Sequence, residues 1–105
     1  MTHDRAHVSV VSFDDETRLV LTGEFDISTR EILEAAIARA CASGRRRLVV
    51  DLVGVGFISA HSLARLIQAG ACFAGRVRIA TVDPMVRRMV EIIEPSASSR
   101  VLAAS

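Results

Sequence analysis

Residues 51–66, Asp51-Leu52-Val53-Gly54-Val55-Gly56-Phe57-Ile58-Ser59-Ala60-His61-Ser62-Leu63-Ala64-Arg65-Leu66, decide how this chain folds. They continue an apolar run that starts at Leu48, pass through a short glycine-containing turn, and open a helix at Ser59-Ala60-His61-Ser62. A strand that hands its chain directly to a helix leaves that helix's free N–H groups at one edge of a sheet. Such a place suits a phosphate, a carboxylate or the acidic side chain of a partner. Here the tip carries a histidine between small residues, so the question of function turns on that tip.

Working outward, the unbroken apolar character of residues 48–53 predicts a strand buried on both faces, as in a parallel sheet. Before it, Val8, Val10 and Phe13 alternate with polar neighbours, Asp14-Asp15-Glu16-Thr17 supplies a turn, and Arg18–Thr22 completes a hairpin. Ser28 with Glu31 three residues later reads as a capping box. Ile32, Leu33, Ala36, Ile37, Ala40 and Cys41 then follow at helical spacing, and Gly44 closes that helix. Arg45-Arg46-Arg47 reads as a solvated lead-in to the next strand, since no basic face or interleaved aromatics accompany it.

After the central stretch, a helix is predicted over Ala60–Ala69, capped by Ser59, with Leu63, Leu66 and Ile67 facing inward. Arg76–Val82 reads as a fourth strand. Asp83-Pro84 is a cap followed by proline at the first helical position, and Val86, Met89, Val90 and Ile93 form the stripe of a third helix that Pro95 ends. Packing explains Met89, and Met85 is expected to be partly exposed. Arg100–Ala103 reads as a short edge strand. The order β-β-α-β-α-β-α-(β) describes an α/β domain with right-handed crossovers. Binding sites in such sheets gather beyond the carboxyl ends of the strands. The loops Glu24–Ser28, Gly54–Ser62 and Thr81–Asp83 lie there, which predicts a single rim carrying Asp26, Ser59, His61, Ser62 and Asp83.

At 105 residues, half of them hydrophobic, the chain is expected to be one domain with a core over about 7–95 and a tail at 96–105. The formal net charge of +1 excludes a strong global field for nucleic acid or anionic membrane. All thirteen basic residues are arginine, so no lysine is available for Schiff-base chemistry. The polar start has no apolar signal core and no run reaches the length of a membrane span, so the cytoplasm is the expected location. Cys41 and Cys72, without a Cys-x-x-Cys motif or a Cys/His cluster, read as reduced core residues.

Several sharper chemistries compete with a plain binding rim. His61 beside Ser59 and Ser62 suggests a hydrolase, with Asp26 or Asp83 orienting the imidazole. Histidine and serine one residue apart on a helix point in different directions, however, and no Gly-x-Ser-x-Gly elbow exists. Gly54-Val55-Gly56 imitates a dinucleotide turn, but Ser59 replaces the third glycine and Phe57-Ile58 would crowd a pyrophosphate. A phosphoaspartate at Asp51 lacks a lysine to sense it. Asp51 is better read as bonding backbone in the turn after its strand. Glu24, Asp26 and His61 are too few to specify a metal. A surface histidine at a binding rim is the simplest reading, and its charge can change near neutral pH.

Two stretches carry a family resemblance that covers nearly the whole chain. Leu21-Thr22-Gly23-Glu24-Phe25-Asp26 resembles the Leu-x-Gly-Glu-Leu-Asp signature of the STAS domain, the fold of bacterial anti-sigma factor antagonists and of the cytoplasmic tails of sulphate transporters. Val49–Ile58 resembles the family's apolar-Asp-Leu strand and the turn after it. The resemblance implies a mixed, mostly parallel sheet of four or five strands with three main helices. In the family's antagonists the next residues read Asp-Ser-Ser/Thr-Gly-Leu, and the second hydroxyl is phosphorylated by an anti-sigma factor that is also a kinase. Here Ser59 stands for the Asp, Ala60 for the first Ser, His61 for the acceptor and Ser62 for the Gly.

The resemblance therefore implies a non-catalytic protein-interaction domain that regulates sigma-factor-dependent transcription in stress responses. Its partner would be an anti-sigma factor, of kinase type or not. The implied contact residues are Glu24, Asp26, Ser28, Ser59, Ala60, His61, Ser62 and Leu63, with no catalytic residue, metal or cofactor. Serine phosphorylation at the usual position is lost with the hydroxyl, which leaves Ser59 and Ser62 as the remaining acceptors nearby. Neither nucleic acid nor membrane is an expected partner, while a homodimer is compatible with the reading. The alternatives are a small hydrolase or transferase using His61, and a subunit of a larger stress-sensing STAS assembly.

Overall fold

A computed structural model describes residues 6–95 and the backbone of 101–103. Strands β1 (His7–Phe13) and β2 (Glu16–Phe25) form a hairpin, followed by helix α1 (Arg30–Cys41) and strand β3 (Arg47–Ile58). Helix α2 (Ala60–Gln68), strand β4 (Val77–Thr81), helix α3 (Pro84–Ile93) and strand β5 (Val101–Ala103) complete the order. Two aspartates make the hairpin turn, and Asp14 takes a left-handed backbone (φ 58°) that its short polar side chain tolerates. The sheet order is β1-β2-β3-β4-β5, antiparallel only at the hairpin, as the α/β reading expects. Of the expected strand at Arg100–Ala103, Val101–Ala103 pairs with β4, and Arg100 lies outside the described residues, as does the rest of the 96–105 tail.

Each step from β2 to β5 moves one strand in the same direction through a helix. Right-handed crossovers then place all three helices on one face. Burial follows that geometry. Thr17, Leu19, Leu21 and Phe25 of β2, and Val77, Ile79 and Thr81 of β4, point into one core with Leu33, Ile37, Leu63, Leu66, Phe73, Val86 and Val90. Gly44, at φ 72°, turns the chain out of α1, where a side chain would be strained. The opposite face of the sheet carries no helix, so the expectation of two-sided burial for residues 48–53 holds only in part. Val49 is buried there, but Val53 is 45% exposed.

The turn expected at Gly54–Ile58 is strand. β2 and β3 continue in parallel to the pairs Glu24↔Phe57 and Phe25↔Ile58, with register shifts between Val20 and Thr22 and between Gly23 and Glu24. The two glycines make this possible. A Cβ on Gly54 would stand 2.9 Å from Thr22 Cγ2, and one on Gly56 would collide with the Glu24 carboxylate. They leave room for side chains of β2 and are not the start of a nucleotide loop. Asp51 accepts from the Val53 N–H at 3.0 Å, the backbone bond expected of it, within a strand that runs on.

Cys41 and Cys72 are joined in a disulfide, which overturns the expectation of two reduced core thiols. The end of α1 meets the 3₁₀ helix Ala69–Phe73 that follows α2, bringing the two Cα atoms to 5.4 Å. Neither cysteine belongs to the buried core: Cys41 is half-buried and Cys72 exposed.

Candidate functional site: the rim at the ends of β2 and β3

At the end of β2 the chain is punctuated by Asp26, not by the expected Ser28–Glu31 box. The Asp26 carboxylate accepts from the Ser28 hydroxyl and from the Ser28 N–H (2.9 Å). The Asp26 N–H in turn donates to Thr29 Oγ1 at 3.0 Å. This reciprocal box closes a 3₁₀ turn, Ile27–Thr29, in front of α1, and α1 starts at Arg30 without a side-chain cap. A carboxylate accepts two bonds at once, so position 26 prevails over a single serine hydroxyl two residues later. The same bonds, the Ser28 hydroxyl foremost, hold the Asp26 pKa below its ordinary value. Asp26 is therefore an anion held by its own turn.

The second loop matches its sequence reading. Ser59 has the extended backbone of an N-cap, and its Oγ accepts from the Ser62 N–H at 3.1 Å. Ser59 Oγ also donates to Ser62 Oγ at 3.0 Å. Between the loops, the Ser59 N–H donates to the Phe25 carbonyl at 2.9 Å. That bond extends the β2–β3 ladder by one rung and ties the start of α2 to the Asp26 turn.

Helix α2 is held from behind by a fork that no sequence pattern suggested. Arg65 donates through Nε and through its terminal nitrogen (2.7 Å) to both carboxylate oxygens of Glu34 on α1, and through the other to Gln68 at 2.9 Å. These bonds lower the Glu34 pKa and raise that of Arg65, and the nearby His61 contributes in the same direction to Glu34. The helix that presents His61 thus has a set rotation on α1.

Of the predicted contact residues, Ser28, Ala60 and His61 are exposed, and Glu24, Asp26 and Ser59 are half-buried at the same edge. Ser62 and Leu63 are turned inward, at 3% and 0% exposure. Ser62 completes the cap and Leu63 belongs to the core, so neither presents a surface to a partner. The expectation of one rim is also corrected for Asp83. It caps α3 by accepting from the Met85 N–H at 2.9 Å, but β4 ends level with Leu52. The β2–β3 pair runs further, by the four residues from Leu21 to Phe25 on β2, about 13 Å at a strand's rise. Asp83, two residues past the end of β4, therefore lies below the level of the Phe25–Ile58 pair.

Two residues that the sequence reading did not count complete the site. Ile27, in the turn that Asp26 closes, is 77% exposed, and Phe57, paired with Glu24, is 52% exposed. Both lie within two residues of the Phe25–Ile58 pair. The signal was present in the sequence, since a β-branched residue inside a capped turn has no core to enter. The Ser59 and Ser62 hydroxyls bond each other, and among the described residues no group of three His, Cys, Asp or Glu could hold a metal.

Comparison with known proteins agrees with this architecture. Residues 8–95 match the family model described as Mlab, STAS domain. An anti-sigma factor antagonist from Mycobacterium paratuberculosis has a similar structure, with a TM-score of 0.82 and 22% identity over 96% of this chain and 88% of that one. The anti-sigma factor antagonist SpoIIAA in its unphosphorylated form aligns with a TM-score of 0.70 and 15% identity, covering 94% of this chain and 89% of its own. An antisigma-factor antagonist STAS domain from Rhodobacter sphaeroides aligns with a TM-score of 0.52 and 16% identity, over 72% of this chain and 84% of that one. No curated protein matches in sequence. Among the described residues, no helix is long and apolar enough to cross a membrane.

Proposed function

Because the chain belongs to the STAS domain family, we propose that it is a protein-interaction domain acting as an anti-sigma factor antagonist, with no chemistry of its own. It binds an anti-sigma factor through the rim and so frees a sigma factor for transcription. The observation that carries this reading is the bond from the Ser59 N–H to the Phe25 carbonyl. It joins the two loops into one surface, with Ile27, Phe57 and Ala60 as apolar anchors and Glu24, Asp26, Ser28 and His61 around them. The polar groups of the two caps satisfy each other internally, so a partner can cover them at little desolvation cost.

The antagonist is not switched by phosphorylation at position 61. A phosphoserine there would add about 1.5–2 negative charges at the start of α2 and disfavour an acidic partner. His61 has no hydroxyl to accept it, and Ser59 and Ser62 are committed to the cap. The test is incubation of the wild type and of His61→Ser with ATP and a kinase-type anti-sigma factor, followed by intact-mass analysis. The expected result is no stoichiometric phosphate on the wild type, one on His61→Ser, and binding of the factor by both. A stoichiometric phosphate on wild-type Ser59 or Ser62 overturns the unswitched reading, and absence of binding overturns the antagonist role.

A further inference from the structure

The helix-free face of the sheet has a feature unrelated to the rim. Residues of one orientation line up across the strands in register, and one row reads Val11, Arg18, Val49, Arg78. The neighbouring row reads Phe13, Glu16, Arg47, with Arg76 next to it, one residue before the Leu48↔Val77 pair. Arg18, Arg47, Arg76 and Arg78 surround a basin of about 770 Å³ whose floor includes Val49 and Ala80. That volume is in the range of small-molecule sites.

The charges here do not balance. Glu16 and Asp51 both approach Arg18, at 3.4 and 3.7 Å, and Asp15 holds Arg47 at 3.0 Å. Arg76 and Arg78 have no carboxylate partner among the described residues. Like charges on neighbouring strands repel, and the outward positions of β4 would accept any strand former, so the fold itself does not require arginine at both. Two guanidinium groups two residues apart on one strand face, without a carboxylate partner among the described residues, suit the charge of one phosphate dianion.

We infer that this basin binds a small soluble phosphate monoester. Arg76 and Arg78 receive the phosphate, Arg18 flanks it, and the apolar body lies on Val49 and Ala80. The site is at the opposite end of β3 from the rim and does not depend on the proposed antagonist role.

The test is calorimetric titration of the full chain with phenyl phosphate, and with inorganic phosphate for comparison, in low and in raised salt. The expected result is saturable one-to-one binding that weakens with salt, tighter for phenyl phosphate. It should fall by about tenfold or more in the Arg76→Gln/Arg78→Gln variant. Replacing Arg87 of α3 by Gln, or His61 by Ala, should leave it unchanged. The double variant should melt no lower than the wild type, because a repulsion has been removed. Absence of saturable binding, or undiminished binding in the folded double variant, overturns the inference. Equal affinity for the two phosphates overturns the role of the apolar floor. Binding of a glutamate-rich peptide in place of phenyl phosphate overturns the choice of a small ligand.

Discussion

The two ends of β3 solve opposite problems. At Ile58 the polar groups are satisfied among themselves. Asp26 holds Ser28, Ser59 holds Ser62, and two large apolar side chains, Ile27 and Phe57, stand exposed along with Ser28 and His61. At Arg47 apolar side chains are exposed as well, Phe13 at 81% and Val11 at 52%, but there charge is left unmatched, four arginines against Glu16, Asp51 and Asp15. A surface of the first kind is suited to a protein partner, because covering it removes apolar area from water and breaks few bonds. A surface of the second kind draws a small anion. One strand can serve both because its open face changes character along its length, from charged at 47 to small and aromatic at 54–57.

The comparison rests first on a rigid support under the rim. Phe25, fully buried directly beneath it, should cost about 3–5 kcal/mol on replacement by Ala, measured by urea unfolding. A loss below about 1 kcal/mol would mean that the rim is not anchored in the core. Next in size is the disulfide. Its residues are 31 apart in sequence, and closing a loop of that length stabilises a fold by about 3–4 kcal/mol in the chain-entropy account. Reduction, or the Cys41→Ala/Cys72→Ala pair, should lower the melting temperature while leaving far-UV circular dichroism native at room temperature. The loop that the bond closes contains both Arg47 of the basin and α2 of the rim, so its loss should loosen both ends of β3.

The rim itself is tested by Phe57→Ala and Ile27→Ala. Each is expected to weaken anti-sigma factor binding by roughly tenfold or more, about 1.4 kcal/mol, while leaving stability nearly unchanged. A Leu63→Ala variant should do the reverse, losing stability first, because Leu63 faces the core. Smallest is the Glu34–Arg65 fork. Both side chains are partly exposed, so Glu34→Gln should cost at most about 1 kcal/mol at neutral pH. Its sign with pH follows from the lowered Glu34 pKa. The contribution is full above the ordinary value of 4.5 and is lost as pH falls through the lower folded value. Wild type and Glu34→Gln should therefore converge in stability in acid. Divergence there would mean that the fork is not what depresses the Glu34 pKa.

Much of the fold was legible because its signals are local. Ser59, Asp83-Pro84 and Gly44 each act within one turn of helix, and the alternating and helical stripes identify their elements without reference to the rest of the chain. The family motifs were legible for the same reason. At Asp26 a local signal was misjudged, because serine three residues before glutamate is a familiar pattern, while a carboxylate with two donors forms the stronger cap. The exposed members of the rim were partly readable as well. Ser62 was not, because helix spacing alone does not say how far the helix has rolled toward its sheet, whereas the helical stripe already turned Leu63 inward and only the family resemblance made it a contact residue.

The chain's order of elements, the starts of α2 and α3 and the replacement of a hydroxyl by an imidazole at position 61 follow from the sequence by itself, since each depends on neighbours a few residues away. Only the tertiary structure decided that Cys41 meets Cys72, that Glu34 meets Arg65, and that Gly54 and Gly56 continue a strand to accommodate Thr22 and Glu24. It likewise decided that arginines from three strands converge on one basin. These partners are separated by about thirty residues along the chain, and only the register of the sheet and the packing of the helices bring them within contact distance.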